Sequence, residues 1–398
     1  MRSTLSRLFT AGATAAAALL GTAAAETLSS QAGPINVEVL TPVENPWGMA
    51  YLPDGRLLIS EKQGELRIFA DGKLGEAIGG LPEVEFKGQG GLLDVEIDPK
   101  FAENQLVYIY YVEAADPQPD DAKEPGDTRT GTKPNDDIIL KGGAVARGRL
   151  EGNEIKELTT IWRQEPKEIG RGHFGGRLAF APDGKLFISS GERQRFDPAQ
   201  DLKGNLGKII RINPDGSTPS DNPFIAQGGR ADIYSMGHRN PLGLAIHPTT
   251  GALWENEMGP KGGDEINIIE PGKNYGWPIV SDGDNYDDTP IPDHKTRPEF
   301  QAPIISWNPV ISPSGMAFYT ADLFPTWKGS VLLGGLSSTA LIRVMLDGDK
   351  VTGEERITTG QRIRDVIQAP DGAILLLTEG TADGDPADGQ LWRLTPAK

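Results

Sequence analysis

The stretch Leu178–Gly184 reads LAFAPDG and is followed by KLFI at Lys185–Ile188. The apolar residues on either side are patterned as in half-buried β-strands. Between them, Pro182 fixes φ, Asp183 offers an acceptor to its own backbone, and Gly184 tolerates positive φ. The stretch therefore predicts two antiparallel strands joined by a tight turn.

This strand–turn–strand pattern recurs at intervals of roughly fifty to eighty residues, with no stretch of helical periodicity between the copies. Such repeats are typical of β-propeller blades, whereas a β-sandwich with coincidental turns is the alternative. We therefore predict an all-β fold, a six-bladed β-propeller with four-stranded antiparallel blades. The six copies begin at Trp47, Leu93, Leu178, Gly243, Gly315 and Asp365.

The first 25 residues have the pattern of a secretory signal. Arg2 and Arg7 form a positive start, Leu8–Leu20 is an Ala-rich apolar run, and Ala23–Ala25 suits a signal peptidase. The run is short and Ala-rich for a membrane span, so an uncleaved anchor is the weaker alternative. We predict a signal peptide at 1–25, a single β-propeller catalytic domain without a membrane span at 26–398, and a periplasmic or secreted location.

Composition excludes several classes of function. The 398 residues contain no cysteine, which rules out thiolate catalysis, thiolate zinc sites and Fe–S clusters. The formal net charge is −17, so the chain repels nucleic acid and anionic membranes. Any anionic ligand must therefore be held by a local cluster of cationic side chains.

Such a cluster is predicted where the chain enters the blades. Gln89, His173, Arg239-Asn240 and Arg362-Ile363-Arg364 each precede or open the first strand of a blade. Residues two apart in an extended strand point the same way, so two guanidinium groups lie together and favour an anion between them. The alternatives are pairing with local carboxylates such as Asp365 and, for His173, a structural role.

The segment Glu257–Asn267, continued at Asn274–Pro278, combines carboxylates with irregular backbone, which suits a calcium ion; a solvated acidic loop is the alternative. Two stretches rich in Asp and Pro, Ala114–Asp137 and residues 277–303, are predicted to be solvated loops. The sequence has no nucleophile elbow, P-loop, dinucleotide fingerprint or zinc-type His spacing.

At these residues the sequence resembles the glucose/sorbosone dehydrogenase family, within it the soluble aldose sugar dehydrogenases that depend on pyrroloquinoline quinone (PQQ). The resemblance spans nearly the whole chain after residue 25. It rests on Gly88–Leu93, His173–Leu178, Gly237–Pro241, Gly259-Pro260 with Asp264–Asn267, Asn274–Pro278 and Arg362–Val366.

The resemblance implies that His173 is the general base that takes the anomeric proton while hydride passes from C1 to the quinone, giving a lactone. It implies a PQQ clamp and two Ca²⁺ sites, the second including the carbonyl of Tyr275, with the acidic stretch Asp282–Asp288 as a candidate to complete it. It also implies an external electron acceptor (a cytochrome, a quinone or a dye) and a monomer or dimer. The implied clamp residues are Gln89, Arg239, Asn240, Arg362 and Arg364, and the implied calcium ligands are Gly259, Pro260, Glu265 and Tyr275.

Two positions depart from the family's glucose dehydrogenase branch. Glu192 stands where that branch has an Asp near the catalytic His, and a longer carboxylate can still orient His173. Gly335–Ala340 lacks that branch's cofactor-contacting Lys, so cofactor affinity is lower or another group substitutes. Two other functions stay open: a non-catalytic propeller that binds a sugar or a partner, and a calcium-dependent lactonase-type hydrolase. The preferred aldose is not predicted.

Overall fold

The computed structural model describes residues 26–120, 122–124, 126–134, 137–381 and 388–397. The predicted signal peptide lies outside them. Within them, no helix is long and apolar enough to cross a membrane. The strands are β1 (Glu26–Leu28), β2 (Ile35–Val43), β3 (Pro46–Tyr51), β4 (Leu57–Glu61), β5 (Glu65–Ala70), β6 (Lys73–Ala77), β7 (Leu92–Ile97), β8 (Leu106–Ala114), β9 (Lys141–Glu151), β10 (Glu154–Arg163), β11 (Gly175–Phe180), β12 (Leu186–Ser190), β13 (Lys208–Ile212), β14 (Ile233–Met236), β15 (Pro241–Ile246), β16 (Leu253–Glu257), β17 (Lys261–Gly262), β18 (Asp264–Ile269), β19 (Gly283–Asp284), β20 (Ile305–Trp307), β21 (Pro313–Phe318), β22 (Val331–Gly335), β23 (Ala340–Asp347), β24 (Lys350–Thr358), β25 (Ile363–Gln368), β26 (Ile374–Thr378) and β27 (Gly389–Pro396). The helical elements are α1 (Phe101–Asn104) and the 3₁₀ turns Asp197–Gln200, Ile225–Gln227, His294–Thr296 and Pro325–Trp327.

The strands form six antiparallel blades, which confirms the predicted six-bladed propeller and rejects the sandwich. In chain order the blades are β3–β6, β7–β10, β11–β14, β15-β16-β18-β20, β21–β24 and β25-β26-β27-β2. Their first strands, β3, β7, β11, β15, β21 and β25, contact one another in that order and close a ring. Each repeat of the sequence supplies the inner two strands of one blade.

The last blade joins the two ends of the chain. Strand β2 pairs antiparallel with β27, from Ile35 opposite Pro396 to Val43 opposite Gly389. Strand β1 pairs with the outer side of β2, so this blade has five strands rather than the predicted four.

The turns form for the reason that the sequence indicates. In the third blade, Lys185 N–H donates to Asp183 Oδ1 over 3.0 Å, and Gly184 has a φ of 78°. The first and sixth blades repeat the arrangement with Asp54 and Asp371 as acceptors. Asp bonding to the backbone and a positive φ at Gly therefore set the hairpins in register.

The two stretches that were predicted to be solvated loops are each partly buried. Residues 115–140 connect β8 to β9, as predicted, but bury the carboxylates of Glu124 and Asp137. Residues 277–303 are solvated only in part: residues 286–290 are exposed, as predicted, whereas Val280 is buried and the buried Trp277 stacks on Phe196 with ring centroids 5.5 Å apart. The aromatic and aliphatic residues of this segment outweigh its many Asp and Pro residues.

Candidate active site

A cavity of about 330 Å³ lies at one end of the ring and is lined by residues from all six blades or the loops that enter them. Three of the five predicted clamp residues, Gln89, Arg362 and Arg364, line it directly. Its walls also carry large apolar and aromatic side chains, which suit a flat organic ligand. The other lining residues are Trp47, Lys62, Gly88, Phe174, Gly175, Leu242, Met258, Ser312, Leu336 and Glu379.

His173 lies beside this cavity in a fixed orientation. Its backbone has a φ of 51°, and its N–H donates to Gln89 Oε1 over 2.8 Å. Its ring Nδ1 lies 2.5 Å from Glu192 Oε1. The other oxygen of Glu192 accepts the backbone N–H groups of Arg195 and Phe196. Both carboxylate oxygens are therefore engaged, and Glu192 holds one ring nitrogen and leaves Nε2 for chemistry.

Burial and charge tune this pair in opposite ways. Burial is the main cause that lowers the pKa of His173, and the positive charge of Arg239 adds to it, while Glu192 opposes both. Burial tends to raise the pKa of Glu192, but the charge and hydrogen bond of His173 lower it below its usual value. A neutral imidazole facing an ionised carboxylate is the state in which a His accepts a proton.

The loop that carries His173 is held by a buried arginine that the sequence analysis did not identify. Arg193, 1% exposed, donates to the carbonyl oxygens of Gly172 (3.0 Å), Gly170 (2.9 Å) and Lys141 (2.7 Å). Its guanidinium also lies 3.8 Å from the ring centroid of Phe174, a wall of the cavity. One side chain thus ties the His173 loop to the base of β9.

The predicted pair of arginines is present, and its partner is a carboxylate of the protein. Arg364 donates from Nε and Nη2 to the two oxygens of Glu379, over 2.7 and 2.9 Å. Arg362 Nη2 lies 3.5 Å from the same carboxylate. Asp365, the partner considered from the sequence, is instead 3.1 Å from the guanidinium of Arg177 at the ring centre.

Glu379 follows the end of β26, whose Thr378 lies opposite Ile363. The register of the sixth hairpin is thus the signal that could have found it. Lys62, which follows β4, adds a third cation to the cavity wall. The stretch 335–340, which lacks lysine, contributes Leu336.

Arg239 and Asn240 lie behind the cavity, next to the predicted cation site. Arg239 Nη1 donates to the carbonyl oxygens of Met258 and Gly259, over 2.9 and 2.8 Å. Asn240 Oδ1 accepts the N–H of Gly175 over 3.2 Å, which links blade four to the His173 segment. Within the described structure, Arg239 Nε and Asn240 Nδ2 are buried donors without a hydrogen-bond partner. A ligand or an ion-bound water would satisfy them.

Three of the four predicted calcium ligands line one small cavity. Gly259, Glu265 and Tyr275 enclose, with Glu257 and other residues, about 10 Å³ of space. That is roughly the space that one water molecule or ion occupies. The Tyr275 hydroxyl donates to Ile268 O over 2.6 Å, away from this role, and its carbonyl accepts His294 Nε2 over 3.0 Å.

The electrostatics of this small cavity suit a hard cation. Burial, and then the charge of Glu257, raise the pKa of Glu265 to about 8. An oxygen-rich pocket with crowded carboxylates is the kind of donor set that calcium selects. His294 competes for it, since its ring contacts the Tyr275 carbonyl and lies 3.6 Å from Asp282 Oδ1. Pro260 is buried beside Gly259.

Next to the small cavity, which Glu257 also lines, lies a buried cluster that the sequence analysis missed, formed by His238, Glu255 and Glu257. Ser235 Oγ lies 2.8 Å from His238 Nε2, and His238 Nδ1 lies 3.3 Å from Glu257 Oε1. The order resembles a hydrolytic triad, but Ser235 is fully buried and has no access to a substrate.

Comparison with known proteins gives consistent matches. The family model described as glucose/sorbosone dehydrogenase matches residues 43–393. Aldose sugar dehydrogenase YliI of Escherichia coli is 42% identical over 372 residues, covering 91% of this chain and 93% of the relative. The apo structure of the soluble aldose sugar dehydrogenase from E. coli superposes with a TM-score of 0.80 at 39% identity, covering 91% and 100% of the two chains. The PQQ-bound aldose sugar dehydrogenase from Streptomyces coelicolor superposes with a TM-score of 0.71 at 30% identity, covering 91% and 98%.

Proposed function

Since this chain belongs to the glucose/sorbosone dehydrogenase family and is a sugar-oxidising enzyme, we propose that it oxidises aldoses at C1 to the lactone with PQQ as cofactor. The observation that carries the proposal is a cavity lined by cationic side chains, with a carboxylate-held histidine in the loop beside it. Arg362, Arg364 and Lys62 face a single carboxylate there, and His173 lies beside them. A PQQ-bound relative with the same fold supports the choice of cofactor.

The residues divide the work as follows. When bound, PQQ supplies a quinone that accepts the hydride from C1 of the sugar. His173 Nε2 takes the proton of the anomeric hydroxyl, because Nδ1 is held by Glu192. Glu192 stabilises the imidazolium that forms, and Arg362 and Arg364 bind carboxylates of the cofactor. Gln89 positions the His173 backbone through its side-chain oxygen.

We propose that calcium binds at the carbonyls of Gly259 and Pro260, and a second ion at Glu265 and the Tyr275 carbonyl. The small oxygen-lined cavity, which Gly259, Glu265 and Tyr275 share, has room for one of these ions and supports the proposal to that extent. The first ion would supply a Lewis acid that polarises the quinone of the cofactor, and Arg239, which donates to Gly259 O, would help to hold the cofactor. The second would neutralise the crowded carboxylates of blade four.

We also propose a periplasmic or secreted enzyme that passes electrons to an external acceptor, on the basis of the N-terminal pattern and the absence of a haem motif from the sequence. The two alternative functions have less support. A binding propeller has no use for the His173–Glu192 pair. A lactonase needs free carboxylates around an ion in the channel, and there Asp94 and Asp365 are both bonded to Arg177.

The test starts from protein prepared without cofactor. PQQ and Ca²⁺ are added separately and together, and dye reduction is measured with a panel of aldoses. We expect turnover only with both additions, loss of turnover in His173→Ala, and normal turnover in the matched control His247→Ala, which alters a turn in blade four. Failure of the protein to bind PQQ, or full activity of His173→Ala, contradicts the proposal.

A further inference from the structure

Lys62 has a fixed place at the junction of the first two blades. Its backbone N–H donates to Asn45 O over 2.9 Å, and its carbonyl accepts Leu92 N–H, from the inner strand of the next blade, over 3.0 Å. Gly91 fits against this carbonyl only because it has no side chain, since a Cβ there would lie 2.1 Å from Lys62 O. The residue therefore cannot move away without breaking contacts between blades.

Its side chain reaches the cavity of the active site. Lys62 Nζ donates to Gly88 O over 3.0 Å, and Lys62 lines the same cavity as Arg362 and Arg364. An ammonium group has three donors, so two remain for a ligand. The Gly88 carbonyl holds the ammonium in place without neutralising it.

The charges of this wall are unbalanced. Three cations, Lys62, Arg362 and Arg364, share one carboxylate, that of Glu379. Burial lowers the pKa of Lys62 to about 8, the two arginines add to the effect, and Glu379 opposes it. Holding like charges together in a partly dry cavity is unfavourable unless an anion enters. The excess positive charge thus marks where ligand carboxylates bind.

We propose that Lys62 is a cofactor-binding residue, whose ammonium pairs with a carboxylate of PQQ in the cavity that Arg362 and Arg364 also line. The inference rests on the proposed function. It explains why an otherwise acidic protein places a third cation beside Arg362 and Arg364 at this blade junction. It also assigns a role in the cofactor clamp to the first blade, from which the sequence identified no functional residue.

The experiment measures PQQ binding by titration calorimetry in calcium-containing buffer, without sugar. Wild type is compared with Lys62→Gln, Lys62→Arg and a matched control, Lys87→Gln, which alters a lysine of the neighbouring loop outside the cavity wall. We expect Kd to rise at least tenfold in Lys62→Gln, to change less in Lys62→Arg, and to stay unchanged in the control.

A second measurement needs no variant to fold. Only protonated Lys62 binds a carboxylate, so Kd of the wild type rises at least threefold from pH 7.5 to 9.5, through the pKa of about 8. Glu379 stays ionised over this range, because Arg364 and then Lys62 and Arg362 lower its pKa despite its burial. In Lys62→Gln the rise disappears.

Equal Kd values in wild type and a folded Lys62→Gln, or a wild-type Kd that does not change with pH, overturn the role of Lys62. Either result leaves the proposed function intact as long as the wild type binds PQQ. Absence of PQQ binding by the wild type overturns both.

Discussion

Replacing Glu192 with Gln tests the central pair of the site. The carboxylate accepts the backbone N–H groups of Arg195 and Phe196 on one oxygen and faces His173 Nδ1 with the other. An amide cannot serve both sides as the carboxylate does. Either its NH₂ group meets the two N–H donors, or it turns toward His173 and stabilises the tautomer that carries the proton on Nε2, which cannot act as a base.

The expected loss follows from the geometry. Proton transfer creates an imidazolium next to a buried carboxylate, and unit charges about 4 Å apart attract by about 4 kcal/mol at an effective dielectric constant near 20. Loss of most of that attraction in the transition state lowers kcat by about 10²–10³-fold, because about 1.4 kcal/mol corresponds to a factor of ten. The tautomer effect acts in the same direction.

The assay is kcat and kcat/KM of the PQQ-loaded enzyme between pH 5 and 9, with dye as acceptor. Glu192 raises the pKa of His173 against the effect of burial. In Glu192→Gln that pKa therefore falls, and the acid limb of kcat/KM moves to lower pH while the plateau drops. The control is Glu165→Gln, an exposed carboxylate paired with Arg230. A plateau within threefold of wild type, or a limb that moves to higher pH, refutes the reasoning.

Three further predictions concern stability and charge. Arg193→Met leaves buried carbonyls without a donor and is expected to lower the free energy of unfolding by about 3–5 kcal/mol, measured by urea denaturation. A loss under 1 kcal/mol contradicts the stabilising role given to Arg193. Glu379→Gln removes the carboxylate between Arg362 and Arg364, so Tm falls, and saturating PQQ raises Tm more than in wild type; an equal rise counts against the charge imbalance. Deleting residues 26–43 removes β2 and is expected to lower Tm strongly, whereas deleting residues 26–31 removes only β1 and lowers it little, as scanning calorimetry would show.

Most of the fold could be predicted because its information is local. Each turn, three of them Pro-Asp-Gly, specifies one hairpin together with its flanking apolar residues, and every one of the six predicted hairpins forms the inner half of a blade. The fourth strand of the last blade, β2, was not predicted, because β2 and β27 come from opposite ends of the chain and neither sequence indicates the other. Packing of Trp277 on Phe196 is similarly non-local.

In the candidate site, too, the residues with a local sequence signal could be predicted and those that depend on non-local contacts could not. Gln89, His173, Arg239 and Arg362 could be predicted as site residues because they occupy equivalent places before the blades. Their partners were missed where the contact crosses between segments. Arg193 acts on backbone carbonyls, which carry no signature in the sequence. Lys62 follows the second strand of its blade, whereas the predicted site residues precede or open the first strands.

The pairing of β2 with β27, which joins the two ends of the chain, has a consequence for the order of assembly. Arg364 and Glu379 belong to the blade whose outer strands are β27 and β2, so the cationic wall is complete only after the final residues have met the first ones. A chain that lacks β27 is therefore expected to bind the proposed cofactor poorly. If the ligand binds only to the closed propeller, it stabilises the pairing of β2 with β27 by mass action and disfavours opening of the ring there.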